Sequence, residues 1–265
     1  MPRTDTTLDI LWNTMEEDLN KRCSSVGPGV MGYSLLDLTT EKTAKFHEQV
    51  VFPTASTIKI AILLGLTTKV HAGELDWRSR YLTSELPKVG GSGILSLLRD
   101  PVELSLWDLA SLMIALSDND ATNACIDFAG MDYVNSMLSS MGLSQTLLRR
   151  KMMDDEAVQR GDENVSTPDD LMKLVSKIER RDGVSDAVSK DILTILSLEK
   201  DGAFTQALPP QVKRVNKPGG LNHVAVDAGL IYLKDRTVAL AVMANYMEER
   251  RTEAVADVIR TAYRY

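Results

Sequence analysis

Three short stretches of this chain carry the side chains that serine acyl transfer needs, and none of the three includes a histidine. Ser56-Thr57-Ile58-Lys59 sets a hydroxyl three residues before an amine. Ser117-Asp118-Asn119 offers a second hydroxyl, a carboxylate and a carboxamide. Lys217-Pro218-Gly219-Gly220 brings a second amine beside two glycines. Each triplet or quartet alone is a weak signal; in this order they supply a nucleophile, a base, a proton relay and backbone donors for an oxyanion.

The local context of Ser56 strengthens the reading. Ile58, Ile60, Ala61, Ile62, Leu63, Leu64 and Leu66 make the following segment apolar on nearly every side, which predicts a buried helix. Ser56 falls in its first turn, where the positive end of the helix favours an alkoxide. Lys59 is one turn further along the same face, so its amine can reach the serine hydroxyl. An apolar helix disfavours the charged form of a lysine, which suits it to act as a base. Ser197-Leu198-Glu199-Lys200 repeats the spacing without the apolar context and reads as polar surface.

Ser117-Asp118-Asn119 follows the apolar run Met113-Ile114-Ala115-Leu116 and precedes a helical stretch from Ala121 to Phe128, so it reads as a turn between helices. There Ser117 can relay a proton to a leaving nitrogen, Asn119 can hold a substrate amide, and Asp118 can anchor the turn through backbone N–H groups. Lys217-Pro218-Gly219-Gly220 is expected to close a strand, with Lys217 adding positive charge and Gly219 and Gly220 letting a substrate lie close to the backbone. The N–H groups of Ser56 and Gly220 are the candidate oxyanion donors.

The elements that must position these residues follow from periodicity. Leu8, Leu11, Met15 and Leu19 mark an amphipathic helix over 5–23. Strands are expected at Met31–Leu38, Thr43–Val51, Val212–Asn216, Val224–Leu233 and Thr237–Asn245, the last two joined by Lys234-Asp235-Arg236. Ser105 and Asp108 form a capping box, Thr167-Pro168-Asp169-Asp170 is a second helix start, and Ala254, Val255, Val258, Ile259 and Ala262 mark a final helix. Gly90-Gly91-Ser92-Gly93 reads as a flexible loop. The expected fold is α/β of the α+β kind: a mostly antiparallel sheet built from both termini and flanked by helices, with an inserted all-helical lobe. Residues 1–50 and 203–265 are assigned to the sheet lobe and 51–202 to the helical one.

Composition narrows the function classes. The chain has 265 residues, 44% of them hydrophobic, and a net charge of -7. An acidic protein gains nothing from a phosphate polyanion, so nucleic acid is an unexpected partner. No apolar run reaches the roughly 20 residues that span a bilayer. The N-terminus lacks a signal-peptide pattern, which points to the cytoplasm unless a leader has been removed. Cys23 and Cys125 read as two free core thiols, and the scattered His47, His71 and His223 give no metal-binding spacing. The expected partner is a small molecule, with no cofactor and no metal.

Taken together, these residues resemble the active-site set of penicillin-recognising serine enzymes, particularly class A β-lactamases. The resemblance runs along nearly the whole chain and includes Ser117-Asp118-Asn119 continuing into Asp120-Ala121-Thr122-Asn123, and the Thr167-Pro168 helix start. It implies an α/β lobe and an all-helical lobe with the cleft between them. It also implies Ser56 as the acylated nucleophile, Lys59 as its activating partner, Ser117 as proton relay, Asn119 as a ligand of the substrate side chain, and Lys217 as the cationic contact for relay and substrate.

Three departures from that family pattern matter. The glutamate that activates the deacylating water is missing, and Met152 stands where it is expected, with Asp154, Asp155 and Glu156 as nearby acids. Pro218 replaces a hydroxyl residue in the third motif, and Asp227 stands in the region where a basic residue binds a substrate carboxylate, with His223 nearby. The expected activity is therefore a covalent acyl-enzyme on β-lactam, amide or ester substrates with slow release. A D-alanyl-D-alanine peptidase-like enzyme, an esterase, or a non-catalytic binding protein on the same scaffold are the alternatives.

Overall fold

A computed structural model describes residues 5–248 and 251–265. In chain order the helices are α1 (Asp5–Ser24), α2 (Lys59–His71), α3 (Leu106–Ala115), α4 (Asn119–Ala129), α5 (Met131–Ser140), α6 (Asp155–Gln159), α7 (Pro168–Arg180), α8 (Asp186–Leu196), α9 (Ala203–Ala207) and α10 (Arg251–Arg264). The strands are β1 (Val30–Asp37), β2 (Thr43–Phe46), β3 (Phe52–Pro53), β4 (Arg80–Leu82), β5 (Glu103–Ser105), β6 (Val165–Ser166), β7 (Lys213–Leu221), β8 (Val224–Tyr232) and β9 (Thr237–Asn245). The chain divides into two compact units. One holds the described residues up to Ala55, with Thr167–Ser176 and Asp201–Tyr265; the other holds Ser56–Ser166 and Lys177–Lys200.

The first unit is built on a five-stranded antiparallel sheet in the order β2-β1-β9-β8-β7. Val30 pairs with Asn245 and Asp37 with Val238, so a strand from one end of the chain is completed by one from the other. Apolar alternation on β1 and β9 points Tyr33, Leu35, Leu240 and Val242 into a core shared with Met15 and Leu19 of α1, Phe204 of α9, and Val258 and Ile259 of α10. Burying each such side chain stabilises the unit by roughly 1.5–3 kcal/mol. Helix α1 commits only its later turns to this core, since Met15 and Leu19 are buried whereas Leu8 and Ile10 are exposed.

Two strands differ from expectation. β2 stops at Phe46 because His47 takes a left-handed backbone (φ 48°), with its Nδ1 3.1 Å from the Met31 carbonyl oxygen. β7 runs through Leu221, so Lys217-Pro218-Gly219-Gly220 lies inside a strand rather than closing one; Pro218 is paired in register with Asp227. The proline is tolerated because β7 is an edge strand, where a missing N–H need not break a ladder.

A buried carboxylate is one of the ties that group residues 167–176 with the sheet unit. Asp169, on the first turn of α7, accepts hydrogen bonds from Ser34 Oγ (3.2 Å), Lys45 Nζ (2.7 Å) and Gln49 Nε2 (3.2 Å), and pairs with Lys173 (2.7 Å). Burial alone would raise its pKa, but hydrogen bonds and charge from Lys173 and Lys45 prevail and hold it down at about 2.

In the second unit α2 is the central element, packed by α3, α4, α5 and α8. From Lys59 to Thr67 it is buried throughout, as its all-round apolar sequence requires. Ser105 caps α3 in the expected box with Asp108. The second Ser-x-x-Lys copy is a helix end: Lys200 Nζ donates to the carbonyl of Leu196 (2.8 Å) just past α8. β4 and β5 form a small antiparallel pair that periodicity did not reveal, because three-residue strands carry too short a pattern.

Candidate active site

Ser56 sits in one turn of 3-10 helix, Ala55–Ile58, which runs directly into α2 at Lys59. The turn is entered through Ala55 with φ 46°, a left-handed backbone that a residue with a Cβ adopts at a cost of about 1 kcal/mol. Ser117 shares this unusual backbone (φ 54°) at the break between α3 and α4. Two left-handed non-glycine residues, one at and one beside the predicted hydroxyls, mark backbone shaped for something other than stability.

Four predicted residues of the second unit come together. Lys59 is wholly buried, and its Nζ donates to the Ser117 carbonyl (2.9 Å), to Ser117 Oγ (3.0 Å) and to Asn119 Oδ1 (3.3 Å). Polar partners of this kind are how a buried lysine amine is tolerated. Ser117 Oγ in turn donates to Ser56 Oγ (2.8 Å). The result is a continuous path of hydrogen bonds from Lys59 through Ser117 to Ser56. Sequence spacing predicted that Lys59 would reach Ser56 along one helix face; a hydrogen-bonded route between the two runs through Ser117.

The turn after Ser117 is held by three successive side chains. Asp118 Oδ1 caps α4 by accepting from Ala121 N (2.9 Å), while its Oδ2 accepts from the N–H groups of Ile94 (2.7 Å) and Leu95 (2.9 Å). Asn119 Nδ2 donates to the Gly90 carbonyl (3.0 Å), which fixes its amide so that Oδ1 faces Lys59. Asp120 Oδ1 accepts from Val89 N (2.7 Å) and Gly90 N (3.0 Å), and its other oxygen is buried without a hydrogen-bond partner. The glycine stretch expected to be a flexible loop is thus pinned against the site. Gly93 has φ 112°, and a Cβ there would lie 2.2 Å from Asp118 Oδ2.

The loop in which the resemblance leads one to expect a water-activating acid is built around Met152. That methionine is buried, and the Asn123 side chain holds its backbone from both sides: Nδ2 donates to the Met152 carbonyl (3.1 Å), and Oδ1 accepts from Met152 N (2.8 Å). The rest of the loop is tied by the Arg150–Glu163 ion pair and by Asn164, which accepts from the N–H groups of Arg149 and Arg150. Asp154 is engaged as the cap of α6, and Asp155 and Glu156 are exposed.

Lys217, Gly219 and Gly220 lie on β7 of the first unit. Lys217 is buried, with its Nζ donating to the Pro218 carbonyl (3.2 Å). Asp227 is fully buried and structural: it accepts from Asn216 Nδ2 (2.8 Å) and from Phe204 N (3.1 Å), so it holds the start of α9 to the sheet. His223 is a hairpin residue with φ 65°, its Nδ1 3.0 Å from the Met247 carbonyl oxygen.

Cys23 and Cys125 are both free and buried, and burial pushes each thiol up to about 12. Among the described residues, no helix is long and apolar enough to cross a membrane.

Comparison with known proteins places this geometry. A solved structure of PBP-A superposes with a TM-score of 0.85 at 24% identity, covering 95% of this chain and 95% of that one. A beta-lactamase from Sphaerobacter thermophilus DSM 20745 superposes at 0.84 with 27% identity, covering 96% and 97%. A mutant of PBP-A, solved as an acyl-enzyme complex with penicillin G, superposes at 0.85 with 24% identity, covering 95% and 96%. No curated protein matches the chain. The model of the beta-lactamase enzyme family matches residues 14–265, and the chain belongs to that family.

Proposed function

We propose that this protein is a serine hydrolase that forms an ester between Ser56 and the carbonyl carbon of a β-lactam, amide or ester, and that it releases the acyl group slowly. The observation that supports it most is the relay from buried Lys59 through Ser117 Oγ to Ser56 Oγ. In a β-lactam the Ser56 oxygen attacks the carbonyl carbon, a C–O bond forms, and the ring C–N bond breaks. With Lys59 as the neutral amine, the Ser56 proton passes by way of Ser117 Oγ to Lys59 Nζ, and is handed back through the same Ser117 hydroxyl to the ring nitrogen as the C–N bond breaks. Asn119, fixed by Gly90 and Lys59, is the ligand for a substrate amide. The family resemblance assigns Lys217 as the cationic contact, Gly219 and Gly220 as close-approach backbone, and the N–H groups of Ser56 and Gly220 as oxyanion donors.

Slow release follows from Met152. A methionine can neither take a proton from water nor orient it, so hydrolysis of the ester lacks the base that makes it fast. A penicillin as acyl donor is supported by the PBP-A mutant that was captured with penicillin G. Intact-protein mass spectrometry after brief exposure to benzylpenicillin tests the reading. The expected result is a persistent adduct of one intact penicillin mass on the wild type and none on Ser56→Ala. Rapid turnover without an adduct, or no reaction at all, would refute it.

A further inference from the structure

We infer that the sheet unit holds a binding site for a small anion with an apolar body, in a cavity of about 450 Å³ between α1 and the turns of two hairpins. That volume lies in the range of sites that take small organic ligands. Every lining residue belongs to the sheet unit and none is assigned to acylation, so the site does not depend on Ser56 being a nucleophile. The floor follows from the sequence of α1. Leu8, Leu11 and Met15 share one helix face, yet of these only Met15 is buried. Leu8 and Leu11 line the cavity instead, and Trp12 and Leu233 border the core on one side and the cavity on the other.

Charge is concentrated at the two hairpin turns. Arg236, in the turn between β8 and β9, has a partly buried guanidinium whose nearest carboxylate oxygen, Asp37 Oδ2, is 4.0 Å away, too far for a hydrogen bond. Among the described residues that guanidinium makes no hydrogen bond, so its fork of N–H donors is available to a carboxylate. Lys234, two residues before it, is exposed and makes no ion pair among the described residues. The bordering carboxylates compete little. Asp37 Oδ1 accepts from the N–H groups of Thr39 (2.8 Å) and Thr40 (3.2 Å), which ties it to its own turn, and Asp235 is exposed. Lys42 is already engaged: it pairs with Asp9, and its Nζ lies 5.9 Å from the Trp12 ring centroid. Apolar walls below an unspent guanidinium suit a ligand that is carbon at one end and anionic at the other.

The test titrates the full chain with naphthaleneacetate and with its neutral counterpart naphthaleneethanol, followed by heteronuclear NMR at the Trp12 indole N–H, which Trp12→Phe identifies. The wild type is expected to bind the anion with a dissociation constant on the order of 1 mM or tighter, and the alcohol about tenfold more weakly. Arg236→Gln is expected to bring the anion down to the level of the alcohol while leaving the alcohol unchanged. Leu8→Glu, at an exposed position where folding is not at risk, is expected to weaken both. A Trp12 signal that neither compound moves overturns the site. Equal affinity for the two compounds, or for the anion in wild type and Arg236→Gln, overturns its assignment to an anion.

Discussion

The proposed slow release rests on Met152, whose backbone is clamped by both ends of the Asn123 carboxamide. A side chain placed there inherits a fixed starting point, so Met152→Glu introduces a carboxylate with little freedom to wander. The expected outcome is loss of the penicilloyl ester at a rate raised on the order of 10²-fold, within the usual range for a positioned general base. Mass-spectrometric decay of the adduct after free penicillin is removed measures it; an unchanged lifetime would show that Met152 does not occupy the water-activating position. At this scale the sequence was informative about which polar side chains converge. Ser56, Lys59, Ser117 and Asn119 were legible because their spacing and apolar setting are unusual. Asp120 and Asn123 were not, because each acts by binding backbone about 30 residues away, and neither spacing nor composition encodes that contact.

The loop over 89–95 shows how an element acquires rigidity from its neighbours. Its glycines suggest mobility, yet Asp118, Asn119 and Asp120 hold five of its backbone groups. Gly93→Ala would drive a Cβ into the backbone and carboxylate of Asp118, at 2.5 and 2.2 Å. The expected cost is on the order of 3 kcal/mol in thermal or urea denaturation, together with slower acylation. Gly73→Ala is the control: it has a comparable left-handed backbone (φ 79°) but nothing within 4 Å of the new Cβ, so only the backbone cost of about 1 kcal/mol is expected. Equal effects from the two would show that the Asp118 contact is unimportant. Strand ends were harder to read than strand cores. β9 was legible over its full length because Thr237–Asn245 is apolar and bounded by turn residues. β7 was cut short in the sequence reading because a proline and two glycines look like a turn; only its place at the sheet edge makes them compatible with a strand.

For the molecule as a whole, Asp169 sets a limit on acid tolerance. Its native pKa of about 2 lies below the ordinary carboxylate value near 3.9, so its ion pairs stabilise the fold fully above that value. The contribution, about 2–3 kcal/mol, is lost as pH falls from about 4 through 2. Urea denaturation of the wild type at pH 6 and pH 3 is expected to show this loss, and Asp169→Asn to be less stable at pH 6 with a flatter acid dependence. An equal pH slope in both proteins would remove Asp169 from the account. The antiparallel sheet built from both termini, with helices between, was legible because periodicity changes from two to 3.6 and back along the chain. That residues 167–176 join the sheet unit was not, because the ties, from a buried carboxylate and from backbone, run to residues distant in sequence. The pairing of β1 with β9 has a further consequence during synthesis. As the polypeptide leaves the ribosome, Val30–Asp37 emerges well before Thr237–Asn245 and keeps one edge uncovered until that strand follows. Pairing across so long a stretch of chain slows folding and leaves the opening strand open to mispairing in the interval.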